Sequence, residues 1–204
     1  CFFVLETPTE LPLILEASKR LDVRPMLGIR VKLAAKVEGH WNESSGDRSI
    51  FGLTTAQLVE LVDALREHGL LDCLQLLHYH LGSQIPNIRD IRGGVLEACR
   101  YYVSLKQEGA SMGYLDLGGG LGVDYDGSQT NFESSANYTL QEYANDVVYH
   151  VQSVCDEAGV AHPTIISESG RAVVAYHSAL VFGVLGVAGQ GENDVPLQVP
   201  EDVE

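Results

Sequence analysis

Three short polar clusters carry the side chains best suited to chemistry: His80-Leu81-Gly82-Ser83, Gly118-Gly119-Gly120 and Glu168-Ser169-Gly170-Arg171. A glycine run has no Cβ atoms, so the chain can curl and turn several backbone N–H groups toward an anion such as phosphate. The same run could equally be a tight turn. It is not a dinucleotide fingerprint, because the third glycine would fall at position 123, where Val123 stands. Nor is it a P-loop, since no Gly-Lys-Ser/Thr follows. His78 precedes His80 by two residues, so on a strand the two rings share a side. Such a pair can open a metal site, but the site would need further His or Asp at later strand ends. His150 falls in a helical pattern and His162 precedes a strand, so no metal ligands are assigned. Glu168 is a candidate acid or base, or simply the ion-pair partner of Arg171.

The surrounding pattern shows what must hold these groups. Short apolar stretches at 1–5, 26–32, 73–80, 114–117 and 164–167 read as strands. Amphipathic stretches from 9 to 21, from 54 to Gly69, from 87 to Gly109 and from 139 onward read as helices. Thr54 with Gln57, and Thr139 with Glu142, have the spacing of capping boxes. Gly93-Gly94 inside the third helix predicts a kink or break. The polar stretch 38–49 reads as a loop, and 172–187 as a last apolar run. Strands alternating with helices mean a parallel sheet with covered faces, either a barrel or an open doubly wound sheet. Each polar cluster falls at the C-terminal end of a predicted strand, and in a barrel those ends form one rim where active sites are built.

Composition narrows the partners. The 204 residues carry a net charge of −15, which repels nucleic acid and anionic membrane surfaces and would steer a cationic substrate inward. The 21 glycines suit many strand-to-helix turns. Cys1, Cys73, Cys99 and Cys155 are widely spaced with no C-x-x-C, so a zinc ribbon is excluded; Cys99 and Cys155 fall at apolar helix positions and act as small hydrophobes in a reducing compartment. No apolar run is long enough to cross a bilayer. The chain opens on Cys1 rather than Met, as expected of an internal start with any targeting signal missing.

Longer blocks then carry a family resemblance: residues 74–83 (LQLLHYHLGS), 114–126 (YLDLGGGLGVDYD), 141–145 (QEYAN), 162–172 (HPTIISESGRA) and 45–52 (SGDRSIFG). Over about residues 4–187 the chain resembles the biosynthetic arginine decarboxylases of the plant and bacterial type. These belong to the alanine-racemase-fold (fold type III) decarboxylases that use pyridoxal phosphate. The resemblance implies a partial (β/α)8 TIM barrel over residues 1–187, without the family's C-terminal β-domain; the polar, acidic composition of 188–204 reads as a linker or the start of the missing C-terminal region. The resemblance also implies that His80 stacks on the cofactor ring and that Ser83 bonds near its phosphate. Gly118, Gly119 and Gly120 would wrap the phosphate, with Gly170 and Arg171 helping. Glu168 would pair with the pyridine nitrogen, and Arg30 would lie under the cofactor. A carboxylate at that nitrogen keeps it protonated and makes a strong electron sink, which suits decarboxylation better than racemisation.

The implied reaction is L-arginine to agmatine and carbon dioxide, an entry to polyamine biosynthesis, in a homodimer or higher homo-oligomer of the full-length protein. Magnesium is a frequent family requirement. The cytoplasm and the plastid are the expected compartments. There are departures. The family's cofactor-anchoring lysine lies in a Lys-Val-Asn-type context that Lys19, Lys32, Lys36 and Lys106 all lack. The Cys and Asp that the β-domain lends to a neighbouring subunit are missing too, and Ile50 replaces the lysine usual before Phe-Gly. These residues alone are therefore expected to be inactive, and poorly soluble because an incomplete barrel leaves strand edges unpaired. The alternatives are a decarboxylase of the same fold acting on diaminopimelate, ornithine or carboxynorspermidine, a non-catalytic regulatory homologue, and a metal-dependent barrel hydrolase.

Overall fold

The computed structural model describes residues 1–35 and 49–188. Residues 38–48 of the predicted loop at 38–49, and the tail from 189, lie outside the described residues. Five strands, β1 (Phe3–Leu5), β2 (Leu27–Arg30), β3 (Leu74–His80), β4 (Tyr114–Gly118) and β5 (Thr164–Ser167), form one parallel sheet in chain order. The helices α1 (Glu10–Leu21), α2 (Thr55–Glu67), α3 (Ile88–Gln107) and α4 (Leu140–Ala158) connect successive strands, and a short α5 (Gly170–Val174) follows β5. A doubly wound sheet reverses its strand order at a switch point, whereas a barrel adds each strand beside the last. The unbroken order is that of a (β/α)8 barrel, here as an open arc edged by β1 and β5.

The pleat divides the strands into two faces. Leu5, Ile29, Leu77 and Leu115 are register partners across four strands, and each is fully buried beneath the helices. The alternate residues face the inside of the arc. Arg30, His78 and Asp116 are aligned there in one layer, and His80 and Gly118 in the layer above. Register thus places polar side chains on the concave face toward its C-terminal end.

Both capping boxes are present. Thr54 accepts from the Gln57 amide while Gln57 reaches back to the Thr54 amide, and Thr139 and Glu142 do the same. The predicted break at Gly93-Gly94 does not occur: α3 runs unbroken for 20 residues. Gly94 serves packing instead, since a Cβ there would lie 2.7 Å from the Leu81 side chain, while one on Gly93 would meet nothing within 4 Å. Cys99 and Cys155 are buried in α3 and α4. The apolar run from 172 begins as α5 and then has no regular structure to 188; Leu180, Val181, Phe182 and Leu185 are all exposed. Among the described residues, no helix is long and apolar enough to cross a membrane.

Candidate active site

The three polar clusters meet at the C-terminal end of the sheet. His80 ends β3 opposite Gly118, the last residue of β4, and Glu168 directly follows β5. His80 Nδ1 stands 3.6 Å from Glu168 Oε2, a contact longer than a good hydrogen bond. Both side chains are partly open, 38 % and 45 % exposed, as a ring-binding surface requires. The His80 pKa is lowered from its ordinary value, first by burial and then by the charge of Arg30; Glu168 opposes the shift. The neutral imidazole is the form favoured near pH 7.

Each glycine of the run has a separate physical reason. A Cβ on Gly118 would stand 2.1 Å from the Tyr79 carbonyl oxygen and 2.5 Å from His78 Cε1, so glycine lets β3 and β4 end side by side. Gly119 has φ +126°, which L side chains rarely adopt. On Gly120 a Cβ would be 3.2 Å from Ser83 Cα. Backbone bonds zip the two rim loops together: Leu81 N–H donates to Gly118 O, Gly120 N–H to Gly82 O and Ile85 N–H to Gly120 O. The Gly120 amide is therefore spent on the rim, and Gly118 owes its identity to strand packing.

Arg171 and Ser83 come together across this turn. The Arg171 Nη2 donates to Ser83 Oγ at 3.2 Å, and Nη1 lies 3.4 Å from Gln84 Oε1. Gly170 begins α5, and a Cβ there would meet nothing within 4 Å. Arg171 thus bonds Ser83 and Gln84, while Glu168 faces His80. Arg30 ends β2 with Glu6 Oε1 2.5 Å from its Nη1 and the Phe51 ring 5.1 Å from its guanidinium carbon. Ile50, beside Phe51, is 83 % exposed.

Several rim residues escaped the sequence reading. Asp116 approaches His78, Oδ2 to Nδ1 at 3.0 Å, and ligand-type atoms of His78, Asp116 and Glu168 all lie within 4.8 Å of one another. Asp116 sits two residues before Gly118, so the period-two logic that paired His78 with His80 would have found it. Glu6 could have been noticed as an acid just beyond the end of the first strand. Gln84 and Tyr138 left no such signal. Gln84 Nε2 donates to Val123 O at 2.7 Å and its Oε1 accepts from Val123 N–H at 3.0 Å. The Tyr138 hydroxyl accepts from Gly122 N–H and donates to Ile85 O, and burial raises its pKa to about 12.

The comparisons with known proteins agree with this architecture. The family described as "Pyridoxal-dependent decarboxylase, pyridoxal binding domain" matches residues 2–175. The biosynthetic arginine decarboxylase of Rhodopirellula baltica is 60 % identical over 193 residues, 95 % of this chain and 29 % of the relative. That of Aeromonas hydrophila is 50 % identical over 201 residues, 98 % of this chain and 31 % of the relative. The crystal structure of the biosynthetic arginine decarboxylase of Campylobacter jejuni superposes with a TM-score of 0.70 at 37 % identity, covering 83 % of this chain and 27 % of that one. A diaminopimelate decarboxylase from Helicobacter pylori shares the fold, with a TM-score of 0.69 at 22 % identity over 84 % of this chain and 40 % of that one. The chain thus spans under a third of the length of the two curated arginine decarboxylases. Its strand order, its rim clusters and the match from residue 2 to 175 place one conclusion beyond the sequence pattern alone: the chain belongs to the pyridoxal-dependent decarboxylase family, within its pyridoxal-binding domain.

Proposed function

We propose that the full-length protein carrying this chain decarboxylates L-arginine to agmatine and carbon dioxide with pyridoxal phosphate. The observation that carries this reading is the pairing of His80 with Glu168 at the same rim as the Ser83–Arg171 contact. It is supported by the arginine decarboxylases 60 % and 50 % identical to the chain.

The residues present fit the cofactor. Ser83, Arg171 and the turn at Gly119 offer a cation, a hydroxyl and backbone curvature suited to a phosphate. His80 offers a neutral, half-open imidazole to a ring face. Glu168 and Arg30 complete the set. When bound, pyridoxal phosphate supplies the sink for the electron pair left as the carboxylate departs. Glu168 holds a proton on the pyridine nitrogen, His80 orients the ring by stacking, and Arg171 with Ser83 fixes the phosphate end.

The acidic net charge favours a cationic amino acid as substrate. The same reading carries a barrel domain over 1–187, a linker or the start of the C-terminal region over 188–204, and a homo-oligomer. The bacterial relatives support the cytoplasm, and nothing in them supports the plastid. Magnesium prefers about six oxygen ligands, and the one three-residue cluster found among the described residues includes an imidazole.

The test is the absorption spectrum of the full-length protein with added pyridoxal phosphate, before and after L-arginine. A bound-cofactor band that shifts with arginine, with agmatine formed and with both lost in Glu168→Ala, is expected. A folded protein with no such band would refute the assignment.

A further inference from the structure

Gln84 lies beside Arg171 on the Ser83 side of the rim. Its backbone is left-handed, with φ +50°, a conformation that favours glycine. Its side chain is half-buried, and every hydrogen-bonding position of the amide is engaged. Nε2 donates to Val123 O at 2.7 Å and to Ser135 O at 3.3 Å. Oε1 accepts from Val123 N–H at 3.0 Å and from Arg171 Nη1 at 3.4 Å. Two close bonds to Val123 thus fix the amide plane, and two longer ones reach outward from it. Turned over, the amide would set its NH2 against the Val123 N–H and the guanidinium, and its oxygen against two carbonyls, so one orientation alone serves.

The anchors are themselves held. Val123 follows the bridge between Ile85 and Leu121, so the Gln84 side chain continues the pairing of the two rim loops beyond the backbone. Ser135 is fully buried, its Oγ donating to Asp124 Oδ1 at 2.7 Å and accepting from Thr130 N–H at 3.0 Å. Arg171, by contrast, is exposed on the five-residue α5. A long exposed side chain spreads over many rotamers unless contacts hold it, and that entropy is lost when it closes on a ligand. Ser83 Oγ and Gln84 Oε1 take two of the five N–H donors of the guanidinium and leave three for an anion.

We propose that Gln84 is a positioning residue for the phosphate end of the cofactor: it ties Arg171 to the braced loop after β4 and holds the guanidinium beside Ser83 before the phosphate arrives. This rests on the pyridoxal phosphate reading above. The effect is specific to the phosphate, because Gln84 holds Arg171, whereas His80 and Glu168 meet the ring. It also passes through Arg171, so without that side chain the Gln84 amide no longer favours a phosphorylated ligand over its alcohol.

The experiment measures the dissociation constants of pyridoxal phosphate and of pyridoxal, which lacks the phosphate, for the full-length protein, with thermal unfolding alongside. The variants are Gln84→Met, Arg171→Met and the two combined. Gln84→Met lowers the preference for pyridoxal phosphate over pyridoxal about tenfold, the scale of one hydrogen bond to a charged group, and leaves pyridoxal binding within about threefold. Added to Arg171→Met, it changes the preference by less than about twofold, because the two side chains act as one unit. An amide that merely braces the loop would lower both affinities along with thermal stability and leave the preference intact, and that result overturns the proposal. So does a double variant whose loss of preference is the product of the two single losses. Should Gln84→Met not fold, Gln84→Gly, which relaxes the left-handed backbone, decides by the same criteria. A parent protein with no preference for pyridoxal phosphate defeats the cofactor reading and the inference together. A parent with that preference, kept in full by Gln84→Met, defeats the inference alone.

Discussion

Replacing Gly94 with alanine, beside the same change at Gly93, tests how the back of the barrel positions its rim. Both residues lie inside α3, where exchanging glycine for alanine gains about 1 kcal/mol of helix propensity. At Gly93 nothing opposes that gain, because an added Cβ meets no atom within 4 Å. At Gly94 the Cβ lands 2.7 Å from both Cδ atoms of Leu81 and 3.1 Å from its Cγ. Leu81 is 4 % exposed, so it has little room to swing aside, and overpacking of this kind costs about 1–3 kcal/mol. Propensity cancels in the difference between the two variants, leaving the packing cost of about 1–3 kcal/mol. Thermal unfolding reads it: about 2–4 °C per kcal/mol for a domain of 150–250 residues, with Gly93→Ala raised and Gly94→Ala unchanged or lowered. Leu81 directly follows His80, so Gly94→Ala should also weaken pyridoxal phosphate binding while Gly93→Ala leaves it unchanged. If Gly94→Ala stabilises as much as Gly93→Ala, Leu81 is free to move and the claim that α3 fixes the rim fails.

Two further outcomes are expected. Gly118→Ala pushes a methyl group to 2.1 Å from a backbone oxygen that cannot rotate away, so a loss of about 3 kcal/mol or more is expected, with faster amide exchange at the ends of β3 and β4; unchanged exchange there would count against the close-approach argument. In a histidine NMR titration His80 should protonate below its ordinary 6.5, with Glu168→Gln lowering the value further and Arg30→Met raising it; an upward shift in Glu168→Gln would contradict the assigned causes. The unfolded chain takes up that proton first as pH falls below about 6.5, so this group's contribution to stability declines through that window until the folded ring titrates.

Much of the scaffold was legible because it rests on interactions between near neighbours in the chain. A capping box closes over three residues, so Thr54 with Gln57 and Thr139 with Glu142 could be read directly. Strand β5 was legible because a proline and a charged cluster bracket four apolar and hydroxyl residues. The meeting of His80, Gly118 and Glu168 followed once each was placed at a strand end. Gly93-Gly94 misled because glycine's local cost for a helix is the same whether or not another side chain needs its space.

Residue order by itself determined the alternation of strands and helices, their caps, and the family resemblance carried by the long blocks around the rim. Tertiary structure decided that the sheet follows a barrel's order rather than a switch-point order. It also decided that Gly118 serves strand packing, that Glu6 holds Arg30, and that His78 and Asp116 lie together beneath Glu168. Those contacts join residues tens of positions apart, and their existence depends on strand register. A shift of one residue would turn every one of these side chains to the opposite face, so the pairing becomes visible only once the whole sheet has packed.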